Sequence, residues 1–197
     1  MLGQRPECTD FVEPAGLAVQ PYGGGERHSI PVLRNWNGIR DNAEVDVRVA
    51  ESAVDVAVVR QLWREYWDSV GLPKNFQGFD AELAGLPGIY GAEGGVLLLA
   101  SQKEEPAGTI ALRRLNGTSG EVKRLYLRPK FRGHGLGRRL LNEVIQRAGG
   151  FQYDCLYADT LPNMMEALSL YERVGFERVE AYSNTPTPNA IYLRLKL

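Results

Sequence analysis

Cysteine is nearly absent from this chain: 197 residues hold two, Cys8 and Cys155, far apart in sequence. They make no metal-ligand spacing and no disulfide framework, which argues against a zinc module or a disulfide-stapled scaffold and fits a reducing cytosol. Long apolar runs are missing too. No stretch approaches the roughly 20 residues a membrane-spanning helix needs. Met1 to Gln20 has no continuous apolar stretch after a positive start, so no secretory signal is expected, and the expected location is cytoplasmic. Excess charge of either sign is absent, at a net −1, so nothing in the overall balance marks a nucleic-acid or membrane-surface binder. No internal repeat is visible.

What is present is a globular composition, 44% apolar and 24% charged, in a chain long enough for one well-buried core. Residues 1–44 are rich in Gly, Pro and polar residues without sustained periodicity and read as an irregular arm that contains His28. Periodicity begins at Val45, so a single domain is expected over 45–197.

Val45 to Val49 alternates like a half-buried strand. Ser52, with Asp55 three residues on, resembles a capping box that opens a helix. Along it Val58, Val59, Leu62, Trp63, Tyr66, Trp67 and Val70 recur at helical spacing, and Trp63 reads as core. A short helix is expected around Phe79 to Ala84. Strands follow at Gly95–Ala100, Thr109–Leu115 and Glu121–Leu127, joined by turns at Glu104–Gly108 and Gly117–Gly120. Asn116-Gly117-Thr118 matches a glycosylation sequon, but a turn between two strands is the plainer reading. A helix from Gly135 to Ala148 is closed by Gly149-Gly150, and Cys155–Asp159 is a strand. Pro162 lies near the start of another helix, which Gly175 ends. Phe176–Tyr182 and Ala190–Leu195 are the last strands. The expected fold is α/β (α+β): a mixed, mostly antiparallel central sheet of about six or seven strands, with helices on both faces.

One segment carries chemistry. A strand runs into Arg132-Gly133-His134-Gly135-Leu136-Gly137 and then into a helix. The first backbone N–H groups of a helix lack intrahelical partners and point at whatever lies beyond its end, which makes an anion site. The glycines let a phosphate approach. Between Glu121 and Arg147, eight Lys and Arg residues stand against two glutamates, and Arg132, Arg138 and Arg139 cluster at the loop. A mononucleotide P-loop needs Gly-Lys-Ser/Thr where Gly137 is followed by Arg138. The dinucleotide fingerprint needs different glycine spacing earlier in the chain.

The loop resembles the coenzyme A loop of the GNAT superfamily of N-acetyltransferases, Gln/Arg-x-x-Gly-x-Gly/Ala. Glu121-Val-Lys-Arg-Leu-Tyr-Leu-Arg-Pro resembles the strand that precedes that loop. Ala167, Leu170-Tyr171 and Gly175-Phe176 resemble the superfamily's second signature, in which Met164 holds the asparagine position and Asn163 lies one residue earlier. Glu82 to Tyr90, Lys123 to Tyr126 and Asp159 to Pro162 resemble a subgroup of small, mostly uncharacterised members. Tyr157-Ala158 departs from that subgroup beside the acceptor strand.

The resemblance implies acetyl-CoA as cosubstrate and transfer of its acetyl group to a primary amine. Leu125, Tyr126 and Leu127 would bind the pantetheine arm, one of their N–H groups facing the thioester oxygen. Arg132, Gly133, His134, Gly135, Leu136, Gly137 and Arg138 would hold the phosphates, with Asn163 beside them and His134 facing solvent. An alkyl ammonium of pKa about 10.4 is neutral in only about one molecule in 2,500 at pH 7, so a base is expected. Glu121 is the first candidate, against a solvent carboxylate at a strand edge, and Glu82 and Asp159 follow. Tyr171 matches the tyrosine that protonates the departing thiolate, against an aromatic packed with Leu168 and Phe176.

The acceptor is expected to be a small molecule held in a pocket from Pro73 to Glu93, with Phe76, Phe79 and Tyr90, closed by the Ser183–Asn189 loop. Acetylation of protein N-termini or lysines, or a coenzyme A-binding regulator without catalysis, is the alternative. Neither nucleic acid nor membrane is expected as a partner, and a homodimer is compatible with the superfamily's habits.

Overall fold

Alternation of apolar and polar residues makes Val45–Val49 the first strand, β1, of a seven-stranded sheet. The computed structural model describes residues 45–71, 73, 76–183 and 187–197. The expected arm, with His28 and Cys8, lies outside them. The remaining strands are β2 (Val96–Gln102), β3 (Glu105–Asn116), β4 (Ser119–Leu127), β5 (Cys155–Thr160), β6 (Glu177–Val179) and β7 (Ile191–Lys196). Their spatial order is β1-β2-β3-β4-β5-β7-β6. All neighbours are antiparallel except β4 and β5, so the sheet is mixed and mostly antiparallel as expected.

Among the described residues, four α-helices cover the two faces: α1 (Ala53–Val70), α2 (Phe79–Ala84), α3 (Leu136–Gly150) and α4 (Met165–Val174). The two-residue period of β2 divides its apolar run between them. Leu97 and Leu99 pack with α1 and α2 around Trp63, Trp67, Phe79 and Leu83. Val96, Leu98 and Ala100 pack on the other face with Leu140, Leu141, Val144, Leu168 and Phe176 from the region of α3 and α4. Ser52 caps α1 by accepting from the Asp55 N–H at 3.0 Å. Asp55 itself pairs with Arg48 instead of completing a capping box. Trp63 is fully buried, as expected. Among the described residues, no helix is long and apolar enough to cross a membrane.

Several boundaries differ from the sequence reading. The β2–β3 turn is Lys103-Glu104, both with positive φ, and not Glu104–Gly108. Gly108 lies inside β3, where an added Cβ would sit 2.4 Å from the Tyr126 carbonyl oxygen, so this glycine permits close strand approach. Gly149 and Gly150 form the last turn of α3, which is capped by Phe151. Strand β6 covers three residues because Phe176 enters the core and the chain after Val179 turns Tyr182 toward β4. Cys155 is fully buried in β5.

Candidate active site

Two features of β4 build the site. Its pairing with β5 runs from Ser119 to Val122 and stops there, although β4 continues to Leu127. Beyond Val122, β5 pairs only with β7, so the two parallel strands part. The β3–β4 register also shifts between Lys123 and Tyr126, around Arg124 with φ of 57°. Such a bulge re-aims side chains and frees backbone groups at the parting.

Into that parting opens a narrow cavity of about 50 Å³, lined by Leu125, Met164, Ala167 and Tyr171 among others. It adjoins a larger cavity of about 820 Å³ between the sheet and the α2 region. Phe76, Lys123, Arg124, Asp159 and Thr187 line both, which places the junction at those residues.

Tyr171 reaches the narrow cavity from α4 while its ring packs edge-on to Phe176, at 5.0 Å between centroids. Burial pushes its hydroxyl well above the ordinary phenol value, so it stays protonated through the physiological range.

The larger cavity holds a chain of charges. Glu121 is buried in a central strand, not at a solvent edge. It accepts from Arg113, from Lys123 at 3.2 Å and from the Tyr182 hydroxyl at 3.1 Å. Lys123 also donates to Asp159 at 3.0 Å, and Asp159 accepts from Thr187 at 3.2 Å. Burial pulls the Lys123 ammonium down, but Glu121 and Asp159 outweigh it and hold the group above its ordinary value. Burial likewise pushes Asp159 up, and Lys123 outweighs it, so the carboxyl lies below its usual range. Glu82 accepts from Tyr90 and from Arg124. The Arg124 guanidinium lies 5.0 Å from the Trp67 ring centroid and 5.3 Å from that of Phe79, so three elements meet on it. Arg60 of α1 donates to the Leu83 carbonyl at 3.0 Å and fixes α2 against the sheet.

The glycine loop has the form an anion needs. Gly133 and Gly135 have φ of 77° and 81°, and Gly135 caps α3 with no side chain bonded to its first N–H groups. Gly137 is a packing position: a Cβ there would meet Leu170 and Leu127 at ordinary contact distance. Arg132 donates to the Leu127 carbonyl at 3.0 Å, tying the loop to the end of β4. His134 and Arg139 are exposed, Leu136 is buried, and Arg138 is half-buried. Leu125 lines the narrow cavity. Tyr126 packs on the opposite face, 5.9 Å from Tyr66, and Leu127 packs toward α3. Asn163 is exposed and lines neither cavity, whereas Met164 lines the narrow one.

A parted parallel strand pair thus lies beside a glycine-capped helix. The family model described as the acetyltransferase (GNAT) family matches residues 57–176. The chain belongs to the GNAT family of acetyltransferases. It is 33% identical to an uncharacterised N-acetyltransferase of Schizosaccharomyces pombe over 157 residues, covering 79% of this chain and 96% of that one. In fold it is similar to an acetyltransferase from Streptococcus agalactiae (TM-score 0.66, 19% identity, 78% of this chain and 98% of that one). It is also similar to a Salmonella typhimurium acetyltransferase solved with acetyl-CoA (TM-score 0.62, 19% identity, 79% and 94%). As a member of that family, the chain is an N-acetyltransferase.

Arg113, Lys123, Arg124 and Tyr182 line the larger cavity with Glu121 and were not among the site candidates read from sequence. Adjacent charges at Lys123-Arg124 interrupt the alternation of β4, and that interruption is the sequence trace of the bulge. Arg113 becomes a neighbour of Glu121 only through the β3–β4 register, which no local pattern encodes.

Proposed function

We propose that this GNAT protein acetylates the primary amine of a small molecule bound in the 820 Å³ cavity. The observation that carries the reading is the junction of that cavity with the narrow one at Lys123, Arg124 and Asp159, next to the parting of β4 and β5. The α2 segment and the Gly88–Tyr90 turn wall the cavity on the side away from the sheet, which supports a small molecule over a protein surface.

In this reading Leu125, Tyr126 and Leu127 offer backbone groups to the pantetheine arm, and one N–H polarises the thioester carbonyl. Gly133 to Arg138 bind the phosphates at the start of α3. Asp159, kept ionised by Lys123, attracts the incoming ammonium, and a water beside it carries off one proton. The acceptor nitrogen bonds the acetyl carbon while the carbon–sulfur bond breaks and its electron pair leaves on sulfur. Tyr171 gives that sulfur a proton and recovers one from the acylated nitrogen through water. Glu121, expected as the base, would have to release one of its partners to act directly. The proposal assigns it instead the ordering of Arg113 and Lys123.

The test is a panel of small amines with acetyl-CoA, following free thiol and identifying the acetylated product by mass. Turnover of at least one small amine is the expected result. Thiol release only with peptides or protein would overturn the reading.

A further inference from the structure

Resting on that reading, we infer that the acceptor is a carboxylate-bearing amine, a zwitterion of amino-acid type, with Arg113 as the residue that takes its carboxylate.

The charges of the larger cavity argue against a bare polycation. Three acids, Glu82, Glu121 and Asp159, face three bases, Arg113, Lys123 and Arg124. Each acid is already paired: Glu82 with Arg124, Asp159 with Lys123, and Glu121 with both Arg113 and Lys123. Beyond the one ammonium that Asp159 draws to the junction, a second would meet only carboxylates already paired, and moving its charge out of water would go unrewarded.

Hydrogen-bond donors, by contrast, are in surplus. Glu121 accepts from Nε of Arg113, Nζ of Lys123 and the hydroxyl of Tyr182, with Nη2 of Arg113 in ion-pair contact as well, so its carboxylate is well supplied with donors. Arg113 turns Nε and Nη2 to the single oxygen Oε2, so Nη1 is left for a ligand. Of the three cavity cations its side chain is the most accessible, at 36% against 12% for Lys123 and 8% for Arg124. Arg124 has its Nε buried without a hydrogen bond and its ring contacts fixed by aromatics, so it is committed to the wall. Arg113 is the cation free to accept a second carboxylate, with Glu121 holding its fork in place.

The spacing suits an amino acid. Arg113 is opposite Glu121, whereas Lys123, two residues further along β4, marks the junction with the narrow cavity. Two strand residues span about 7 Å. A nitrogen at the junction and a carboxylate at Arg113, each at a hydrogen-bond distance of about 3 Å, leave room between them for the few bonds that separate amine from carboxylate. Ile89, Tyr90, Tyr182 and Tyr192 line the rest of the cavity and supply surface for a side chain.

The test compares amino acids with the amines left by removing their carboxylates: phenylalanine with 2-phenylethylamine, leucine with isoamylamine, and lysine with 1,5-diaminopentane. The acids are expected to show kcat/KM at least about tenfold higher than their partners, the scale of one charge-assisted hydrogen bond. Arg113→Gln should bring that ratio toward one. Arg113→Lys, which keeps the charge beside Glu121, should retain part of it, and an unchanged KM for acetyl-CoA would show that both variants are folded. Amines turned over as well as the acids, or an acid-to-amine ratio untouched by Arg113→Gln, would overturn this inference and leave acetyl transfer to small amines standing. Thiol release from neither set of compounds would remove the inference together with the reading beneath it.

Discussion

Glu121 and Arg113 face each other across β4 and β3, and the pair is closed through one oxygen: Oε2 lies 2.5 Å from both Nε and Nη2. That leaves Oε1 for Lys123 and Tyr182, so one carboxylate organises a cation, an ammonium and a phenol.

Glu121→Gln should therefore cost stability as well as turnover. Removing one partner of a buried ion pair typically costs about 3–5 kcal/mol. Glutamine keeps part of the hydrogen bonding, so a loss of about 2 kcal/mol is expected, or about 4–8 °C in Tm for a domain of this size. A thermal melt checks it. An unchanged melt with collapsed thiol release would return Glu121 to the role of base.

Tyr171→Phe should lower kcat about ten- to a hundredfold while leaving the KM for acetyl-CoA near its original value. General acids contribute about 10²–10⁴-fold, but a thiolate with conjugate pKa near 8.5 leaves fairly well unaided. Steady-state thiol release measures the effect, and an unchanged rate would remove the assigned role. Because burial raises the Tyr171 pKa, wild-type activity should show no tyrosine deprotonation limb below about pH 10.

Gly133→Ala places a Cβ in open space, so its cost comes from φ of 77° alone. That is about 1–2 kcal/mol for an L-residue. The expected outcome is a lower Tm and a smaller stabilising shift on adding coenzyme A. A shift equal to wild type would show that the loop's backbone does not meet the ligand.

Acid should weaken the fold in a defined window. Glu65, hydrogen-bonded by Arg128, and Asp55, hydrogen-bonded by Arg48, lie below their ordinary values, as does Asp159. A depressed folded pKa gives stability that is complete above the unfolded value, about 3.9 for Asp and 4.3 for Glu, and is lost as pH falls through the folded value. Denaturant unfolding should show stability declining below about pH 4. A flat profile from pH 5 to pH 3 would contradict the pairings.

Most of the fold was legible because it rests on periodicity. The alternation of β1, the stripe on α1 and the glycine at the end of α4 each encode their element locally. Local signals misled where a residue's reason was tertiary. Gly108 looks like turn punctuation, but it is small because β4 crosses close by. At the site, the glycine loop was readable from its motif and Tyr171 from a resemblance; Tyr171 lines the narrow cavity and Gly135 precedes α3. Arg113 and Tyr182 were not, because register and a chain reversal after Val179 bring them to Glu121 from 8 and 61 residues away.

The Arg124–Glu82 pair has a practical consequence for redesign. It ties the bulge of β4 to α2 across 42 residues, under the rings of Trp67 and Phe79. A graft that exchanges the 76–90 segment to change what the enzyme accepts would cut this tie unless the acid at 82 travels with the graft. The wall of the larger cavity is therefore not a free cassette, and the unit that can be swapped between relatives includes its anchor on the strand.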